Sequence, residues 1–264
     1  MTAPILLRDD QNAVATLTLN TPQSLNALSE AMIAALQAEF DALMSDHTIR
    51  VVILRAEGKA FCAGHDLKEM TRGRQAEDGG KRYFNQLFAQ CGRMMATIPR
   101  LPQPVIAQVQ GIAAAAGCQL VASCDMAIAA EGTKFGVNGV NIGLFCSTPM
   151  VALTRNIPRK QAMEMLTTGA FIDAARAETL GLINRAVPAE NLSAETEALA
   201  KVVAAKLGVA VKIGKQAFYD QLALPLDQAY AHTGAIMAEN MLFRETEEGI
   251  SAFLEKRDPT WTQD

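Results

Sequence analysis

The 264-residue sequence has few of the residues that build disulfide frameworks or metal centres. It contains three histidines and five cysteines, an odd number without a CxxC pair. Reduced thiols in a reducing compartment are therefore expected rather than disulfides. Cys62 and His65 have a CxxH spacing, but a structural zinc ion needs four ligands and no second half-site follows. We expect no metal.

Signatures of nucleotide, ester and membrane chemistry are missing as well. No GxGxxG follows a predicted strand, and there is no Walker loop and no GxSxG elbow. No apolar run approaches the roughly 18–20 residues of a membrane span. The 24 basic and 28 acidic side chains give a formal charge of −4. This charge argues against nucleic acid or an anionic membrane as a partner, and RNA binding lacks a basic patch.

Charge is scarce: 20% of the residues are charged, against about 25% in typical soluble domains. Such a chain often covers apolar surface in a symmetric oligomer, although an alanine-rich helical protein is the alternative. The first ten residues, MTAPILLRDD, contain no basic leader, so a secretory signal is not expected. We predict a cytoplasmic location in a bacterium, or the mitochondrial matrix if the source is eukaryotic.

Strand and helix signals alternate over the first two thirds of the chain, which predicts an α/β layer fold. Ser29 is the predicted N-cap of a first helix, and a later helix is expected to end near Ile98. The polar stretch 71–82 predicts a mobile surface loop. Residues 189–256 are predicted to be helical, with an interruption near Pro225. The predicted strands are residues 13–19, 50–55, 104–109 and 125–129.

Two glycine-containing junctions join a predicted strand to a predicted helix, at 59–70 and at 111–120. Their small residues let another group approach the backbone closely. The N-terminus of a helix offers unpaired N–H donors and partial positive charge. Two such junctions facing one point would form an oxyanion hole from main-chain amides alone. Each taken separately is more often ordinary tight packing.

The sequence resembles the crotonase (enoyl-CoA hydratase/isomerase) superfamily over nearly its whole length. Its segments GHDL, AAAAGCQLVASCD and NIGLFCSTP are most similar to the enoyl-CoA hydratase domain-containing proteins of mitochondrial type and their bacterial relatives. The matching stretches, in family order, are SLNALS at 24–29, FCAGHDLKEM at 61–70, PVIAQVQG at 104–111, AGCQLVASCDMAIA at 116–129, FGVNGVNIGL at 135–144, RKQAMEMLTTGAFIDAARAETLGLINRAVP at 159–188 and EGISAFLEKRDPTW at 248–261.

The resemblance implies a spiral of ββα turns over residues 1–188, followed by a helical trimerisation region over 189–264. It further implies a homotrimer, or a hexamer formed as a dimer of trimers. The implied ligand is an acyl-CoA thioester, and the implied activities are those of a lyase or isomerase of fatty acid metabolism. Coenzyme A would arrive as part of the substrate, so no separate cofactor is expected.

The resemblance also assigns residues to the site. The carbonyl oxygen of the thioester would lie between the N–H groups of His65 and Ala116. Glycine is usual at the second position, and alanine would be strained there if the site demanded a positive φ. Phe253, Lys256 and Arg257 also have simpler interpretations. Phe253 could be a core side chain, and Lys256 and Arg257 could form a solvated basic face instead of contacting coenzyme A. The residues assigned to coenzyme A are Ser24, Leu25, Ala27, Ala63, Gly64, Asp66, Leu67, Phe253 and Lys256.

The sequence departs from the hydratases at their acidic residues. The two glutamate positions of the family fall on Gln119 and Gly139, and a third acid position of some relatives falls on Ser147. Glutamine can orient water but cannot act as a general base, and glycine supplies no side-chain group. Loss of a general base costs about 10²–10⁴-fold in rate. Efficient hydration of crotonyl-CoA is therefore not expected.

His65 is the remaining titratable candidate, because an imidazole with an ordinary pKa near 6.5 can act as acid or base at neutral pH. A filler role, or a hydrogen bond to a loop, is the alternative. Asp66 is predicted to cap a helix beginning at Leu67. Cys118 and Cys146 lack an assignable activating partner. Two functions stay open: an enzyme acting on acyl-CoA (weak hydratase, isomerase or thioester hydrolase), and an acyl-CoA binding or regulatory protein without chemistry.

Overall fold

A computed structural model describes residues 3–261; residues 1–2 and 262–264, the outer ends of the two predicted domains, lie outside it. Strands and helices alternate up to residue 187, and helices follow. The elements are β1 (Leu6–Gln11), β2 (Val14–Leu19), α1 (Glu30–Leu43), β3 (Val51–Ala56), α2 (Leu67–Gly73), α3 (Lys81–Thr97), β4 (Val105–Val109), β5 (Ile112–Ala114), α4 (Ala116–Ser123), β6 (Met126–Ala130), β7 (Lys134–Gly136), α5 (Pro149–Asn156), α6 (Arg159–Thr168), β8 (Phe171–Asp173), α7 (Ala174–Leu180), β9 (Arg185–Val187), α8 (Leu192–Ala204), α9 (Gly208–Gln221), α10 (Leu226–Met241) and α11 (Arg244–Glu255).

The strands form two sheets that the chain visits in turn. The larger sheet has the order β1-β2-β3-β4-β6-β9 and is parallel apart from the β1–β2 pair. The smaller sheet has the order β5-β7-β8. β4 joins the larger sheet and β5 the smaller one, and α4 follows. β6 and β7 repeat this pattern before α5. Two isolated parallel β-bridges, Leu28–His65 and Cys62–Ala113, join the earlier parts of the chain in the same way. The expected spiral of ββα turns is confirmed.

The helices close the core over the parallel strands. In α1 the spacing of Met32, Leu36 and Phe40 turns one face inward, and all three side chains are fully buried. Ser29 caps this helix as predicted, because its Oγ accepts a hydrogen bond of 3.1 Å from the Met32 N–H. On the opposite side of the large sheet, α8 packs against the buried strand residues through Ala200.

In this part of the chain the sequence predictions left out one strand and made one loop too long. No strand was predicted at 6–11, where β1 pairs along its whole length with β2. The loop predicted over 71–82 is shorter, because α2 continues to Gly73 and α3 begins at Lys81. The turn between the helices is held by Asp78, whose carboxylate accepts from the N–H groups of Gly80 at 2.9 Å and Arg82 at 3.0 Å.

The C-terminal region is helical, as predicted, and its break near residue 225 is confirmed by Pro225 at the N-cap of α10. α9 is fixed to the core by Lys215, whose Nζ donates to Asp125 Oδ2 at 2.6 Å and to two backbone carbonyls. Tyr219 donates to the other oxygen of Asp125 at 2.8 Å. Within residues 3–261, none of the helices is long and apolar enough to cross a membrane.

Candidate functional site

The two glycine-containing junctions touch each other. A Cβ built on Gly64 would lie 3.0 Å from the Ala114 carbonyl oxygen and 3.4 Å from the Ala116 nitrogen. A Cβ on Gly117 would clash with the Cys62 carbonyl oxygen. The N–H of Ala114 donates to the same Cys62 oxygen at 2.9 Å. Close approach of the two backbones thus requires glycine at positions 64 and 117.

Two backbone amides at this contact have no acceptor within the described chain: the N–H of His65 and the N–H of Ala116. Ala116 is the first residue of α4, where a free amide and the partial positive charge of the helix end coincide. The strained conformation considered for Ala116 belongs to Ala115, which has φ 48 and ψ −115. The Ala115 N–H donates to the Gly136 carbonyl at 2.8 Å, which holds the residue there.

The His65 ring is partly buried beside the junctions. Its Nδ1 lies 3.4 Å from the Leu28 carbonyl oxygen, which can only accept, so this contact assigns the proton to Nδ1. Nε2 is then a lone-pair acceptor, and it is buried with no partner among the described residues. Phe88 packs edge-on at 5.6 Å between ring centroids. Burial lowers the pKa of His65 below its ordinary value of 6.5, so the ring is neutral at pH 7.

Gln119 stands where the hydratases carry their first glutamate. It follows Ala116 by three residues in α4, so both lie on one face of the helix. The residue is 4% exposed, and its Oε1 is buried without a hydrogen-bond partner among residues 3–261. The Gln119 side chain therefore brings an unbonded neutral amide to the face of α4 that carries the Ala116 N–H.

Gly139 and Ser147 supply no acid to the site. A Cβ on Gly139 would collide with the Leu144 carbonyl oxygen and would lie 2.9 Å from Cys146 Sγ. The space for a side chain at position 139 is thus filled by the chain's own backbone. Ser147 is exposed, and its hydroxyl donates to the Phe145 carbonyl at 3.4 Å.

The segments assigned to the coenzyme A end lie side by side. The Ala63 N–H donates to the Leu25 carbonyl at 3.0 Å, and the Leu28 N–H donates to the Gly64 carbonyl at 2.7 Å. This pairing brings Ser24 and Ala27 beside the turn that begins at Ala63. Asp66 caps α2 as predicted, because its Oδ1 accepts from the Lys68 N–H at 2.8 Å and from the Glu69 N–H at 3.2 Å. Leu67, the first residue of α2, is 54% exposed.

Asn26 is a positioning residue that the sequence reasoning missed. It is fully buried in a left-handed conformation, with φ 52. Its Oδ1 accepts from the Thr21 N–H at 2.9 Å, and its Nδ2 donates to the carbonyls of Glu57 and Ala60, both at 2.8 Å. The side chain thereby ties the 24–28 segment to residues 57–60, which lead from β3 into the first junction. An asparagine between the apolar residues Leu25 and Ala27 was the available signal.

The residues assigned to the last helix lie apart from this pairing. Phe253 is 82% exposed, so the core alternative considered for it is wrong. Lys256 ends α11 in a left-handed conformation, with φ 56. Arg257 is engaged by Glu248 and Glu255, each at 2.6 Å. No hydrogen bond or ion pair of Phe253 or Lys256 joins them to the junctions within the described residues.

The cysteines near the site are protonated at neutral pH. Burial raises the pKa of Cys118 and of Cys62 to about 12, and it raises the pKa of Cys146 as well. The thiolate is the reactive form, so these side chains pack as small apolar groups. Across the described part of the chain, no group of three or more histidine, cysteine or acidic residues is placed to hold a metal ion.

The fold and the paired junctions define an α/β protein of the crotonase class, and known proteins agree with this. The profile of the family described as enoyl-CoA hydratase/isomerase matches residues 9–264. The chain belongs to this family.

Similar proteins come from vertebrate mitochondria and from bacteria. Enoyl-CoA hydratase domain-containing protein 3, mitochondrial, from Xenopus laevis is 44% identical over 98% of this chain and 86% of its own length. A crystal structure of an enoyl-CoA hydratase from Mycobacterium smegmatis has a TM-score of 0.94 and 53% identity, covering 98% of this chain and 99% of that one. The structure of the human domain-containing protein 3 has a TM-score of 0.93 and 42% identity, covering 98% and 100%.

Proposed function

We propose that this chain binds acyl-CoA thioesters and polarises the thioester carbonyl between the N–H groups of His65 and Ala116. The observation that carries the proposal is that two backbone amides, neither with an acceptor in the described chain, belong to two junctions that touch each other and require glycine. Preorganised donors aimed at one oxygen stabilise the negative charge that develops there in acyl chemistry. Membership of the enoyl-CoA hydratase/isomerase family supports the choice of ligand.

Efficient hydration is not part of the proposal, because neither Gln119 nor Gly139 can take or give a proton. The reactions that fit are those in which the polarised carbonyl does most of the work: a weak hydratase, an isomerase or a thioester hydrolase. In such a reaction the free Nε2 of His65 is the proposed proton acceptor. The alternative is an acyl-CoA binding or regulatory protein, and the missing carboxylates favour it.

The oligomeric and cellular parts of the proposal rest on broader features. α10 and α11 expose several large apolar side chains, and an exposed apolar face of this kind marks a contact surface; this supports a homotrimer or a dimer of trimers. Phe253 on α11, and Lys256 directly after this helix, would then reach coenzyme A bound to a neighbouring subunit. Similar proteins occur in bacteria and in mitochondria, which is compatible with both proposed locations, the bacterial cytoplasm and the mitochondrial matrix. The most exposed of these side chains are Leu226, Tyr230, Met237, Leu242, Phe253 and Leu254.

The proposal is tested by removing the carbonyl from the ligand. Butanoyl-CoA and S-butyl-CoA differ in the carbonyl oxygen that the two amides would bind. We expect calorimetry to give a dissociation constant about tenfold or more lower for the thioester, since each hydrogen bond contributes about 1 kcal/mol. Equal affinities would contradict the oxyanion assignment, and no binding of either ligand would contradict the assignment of coenzyme A.

A matched pair of variants tests the same point from the protein side. Ala116→Pro deletes one N–H at the first residue of α4, where proline removes no intrahelical donor, although the preceding Ala115 must leave its ψ of −115 to accommodate the ring. Ala174→Pro makes the same change at the first residue of α7, which is also a buried alanine. We expect the preference for butanoyl-CoA over S-butyl-CoA to fall in Ala116→Pro and to stay unchanged in Ala174→Pro. Thermal unfolding verifies that both variants fold.

A further inference from the structure

Ala115, the residue before the free amide of Ala116, has a backbone conformation that L-amino acids rarely adopt. Its φ is 48 and its ψ is −115, a combination that glycine reaches without the steric cost of a Cβ. Two backbone hydrogen bonds hold it there. The Ala115 N–H donates to the Gly136 carbonyl at 2.8 Å, and the Ala115 carbonyl accepts from the Gln119 N–H at 3.0 Å. The peptide bond between residues 115 and 116 is therefore fixed, and the Ala116 N–H points out of the N-terminal end of α4.

The methyl group of Ala115 lies directly beside this N–H. In an L-residue the Cβ is turned by about 120° from the backbone nitrogen around the Cα–C bond, so a ψ of −115 makes the Cα–Cβ bond eclipse the C–N bond to Ala116. The methyl group then lies in the peptide plane, on the same side as the N–H. Both groups face the first junction: a Cβ built on Gly64 lies 3.1 Å from the Ala115 methyl carbon and 3.4 Å from the Ala116 nitrogen.

An oxygen that approaches the Ala116 N–H must share its space with this methyl group. With standard bond lengths, an oxygen in line with the N–H at about 2.9 Å would lie roughly 2.5 Å from the methyl carbon, inside the roughly 3.3 Å of close carbon–oxygen contacts. The oxygen must leave the N–H axis, and a hydrogen bond weakens as it bends. The His65 N–H has no such neighbour, because the preceding residue is Gly64.

We propose, on the basis of the proposed function, that Ala115 is a positioning residue that weakens the hydrogen bond from Ala116 and leaves the His65 amide as the stronger donor to the thioester oxygen. The effect is carried by the methyl group. Its removal opens the in-line approach, while the hydrogen bonds to Gly136 and from Gln119 keep the peptide bond in place. The chain thereby polarises the carbonyl less than its own backbone permits.

The experiment removes the methyl group and observes the carbonyl of the bound ligand. Native protein and Ala115→Gly are saturated with butanoyl-CoA carrying a carbon-13 label at the carbonyl, and the C=O stretching band is recorded by difference infrared spectroscopy. We expect a lower stretching frequency in Ala115→Gly, because a straighter second hydrogen bond polarises the carbonyl further. In calorimetry, the preference for butanoyl-CoA over S-butyl-CoA should rise about threefold, a part of the roughly tenfold that one good hydrogen bond contributes.

Ala13→Gly is the matched control. Ala13 also has a positive φ, of 62, but it directly precedes β2, at the end of the parallel strands opposite to the junctions. This variant also removes one methyl group from a residue with positive φ, yet it should leave the stretching band and the ligand preference at their native values. Thermal unfolding and retained binding of S-butyl-CoA verify that both variants fold.

The outcomes separate this inference from the proposed function. Native protein that binds butanoyl-CoA and S-butyl-CoA equally, or binds neither, overturns both. If native protein prefers the thioester but Ala115→Gly leaves the band or the preference unchanged, or weakens the preference, the inference alone is overturned, because the methyl group does not limit the donor. Equal changes in Ala115→Gly and Ala13→Gly also overturn the inference alone, because the effect is then not specific to the methyl group beside the Ala116 N–H.

Discussion

The donor side and the acceptor side of the candidate site are built from different parts of the polypeptide. The proposed donors are the backbone amides of His65 and Ala116, and they lie next to glycines 64 and 117, which the close contact of the two junctions requires. The acceptors are side chains, and here they are a neutral amide at Gln119 and nothing at Gly139. A side chain can be exchanged without disturbing the sheets, whereas a junction glycine cannot. If the proposed function holds, the fold constrains the amides that would bind the carbonyl more strictly than the side chains that would transfer a proton.

The largest effect is expected on the donor side. In Gly117→Ala, the new Cβ meets the Cys62 carbonyl oxygen, so α4 must shift away from the first junction. We expect a loss of about 3 kcal/mol or more in the free energy of unfolding, measured by urea denaturation, together with loss of acyl-CoA binding. Gly92→Ala is the control, since a Cβ there meets no atom within 4 Å; it should stabilise α3 by up to about 1 kcal/mol. Equal stabilities of the two variants would contradict the comparison.

A moderate effect is expected on the acceptor side. Gln119→Glu restores a carboxylate at the position of the first hydratase glutamate. We expect the rate of crotonyl-CoA hydration to rise about tenfold or more, followed by the loss of absorbance of the double bond, because a general base contributes about 10²–10⁴-fold. Gly139→Glu is expected to unfold the loop instead, since the Leu144 carbonyl occupies the space. If native protein hydrates crotonyl-CoA as fast as Gln119→Glu, the importance assigned to the missing acids is wrong.

The smallest effect concerns pH. Burial lowers the pKa of His65 in the folded protein, so the unfolded chain binds a proton near pH 6.5 that the folded chain binds only at lower pH. Stability contributed by neutral His65 is complete above pH 6.5 and decreases as the pH falls through the folded pKa. Urea denaturation between pH 8 and 5 should show a shallower decline for His65→Phe than for native protein. The exposed His47→Gln serves as control and should follow the native curve.

The sequence predicted the parts of the molecule that local patterns determine. Ser29 and Asp66 are capping residues in both the prediction and the structure, and the order of strands and helices follows the alternation of apolar and polar runs. The pairing of the two junctions could be predicted only through the family resemblance, because no local pattern sets the distance between residues 64 and 116.

What the sequence did not predict depends on contacts between distant segments. The strain at Ala115 arises where its N–H reaches Gly136, and the blocked space at Gly139 arises where the Leu144 carbonyl turns back on the loop. Two of the three side-chain hydrogen bonds of Asn26 reach residues more than thirty positions away in the sequence. Each depends on the three-dimensional path of the chain rather than on spacing along it.

The ion pair between Lys215 and Asp125 connects the C-terminal helices to the candidate site. Asp125 lies two residues beyond the end of α4, the helix that begins with Ala116 and carries Gln119. A chain cut after β9 would leave this carboxylate without its ammonium partner at the base of α4, and loss of one member of a buried pair costs about 3–5 kcal/mol. We therefore expect α4 to lose stability when the C-terminal helices are removed.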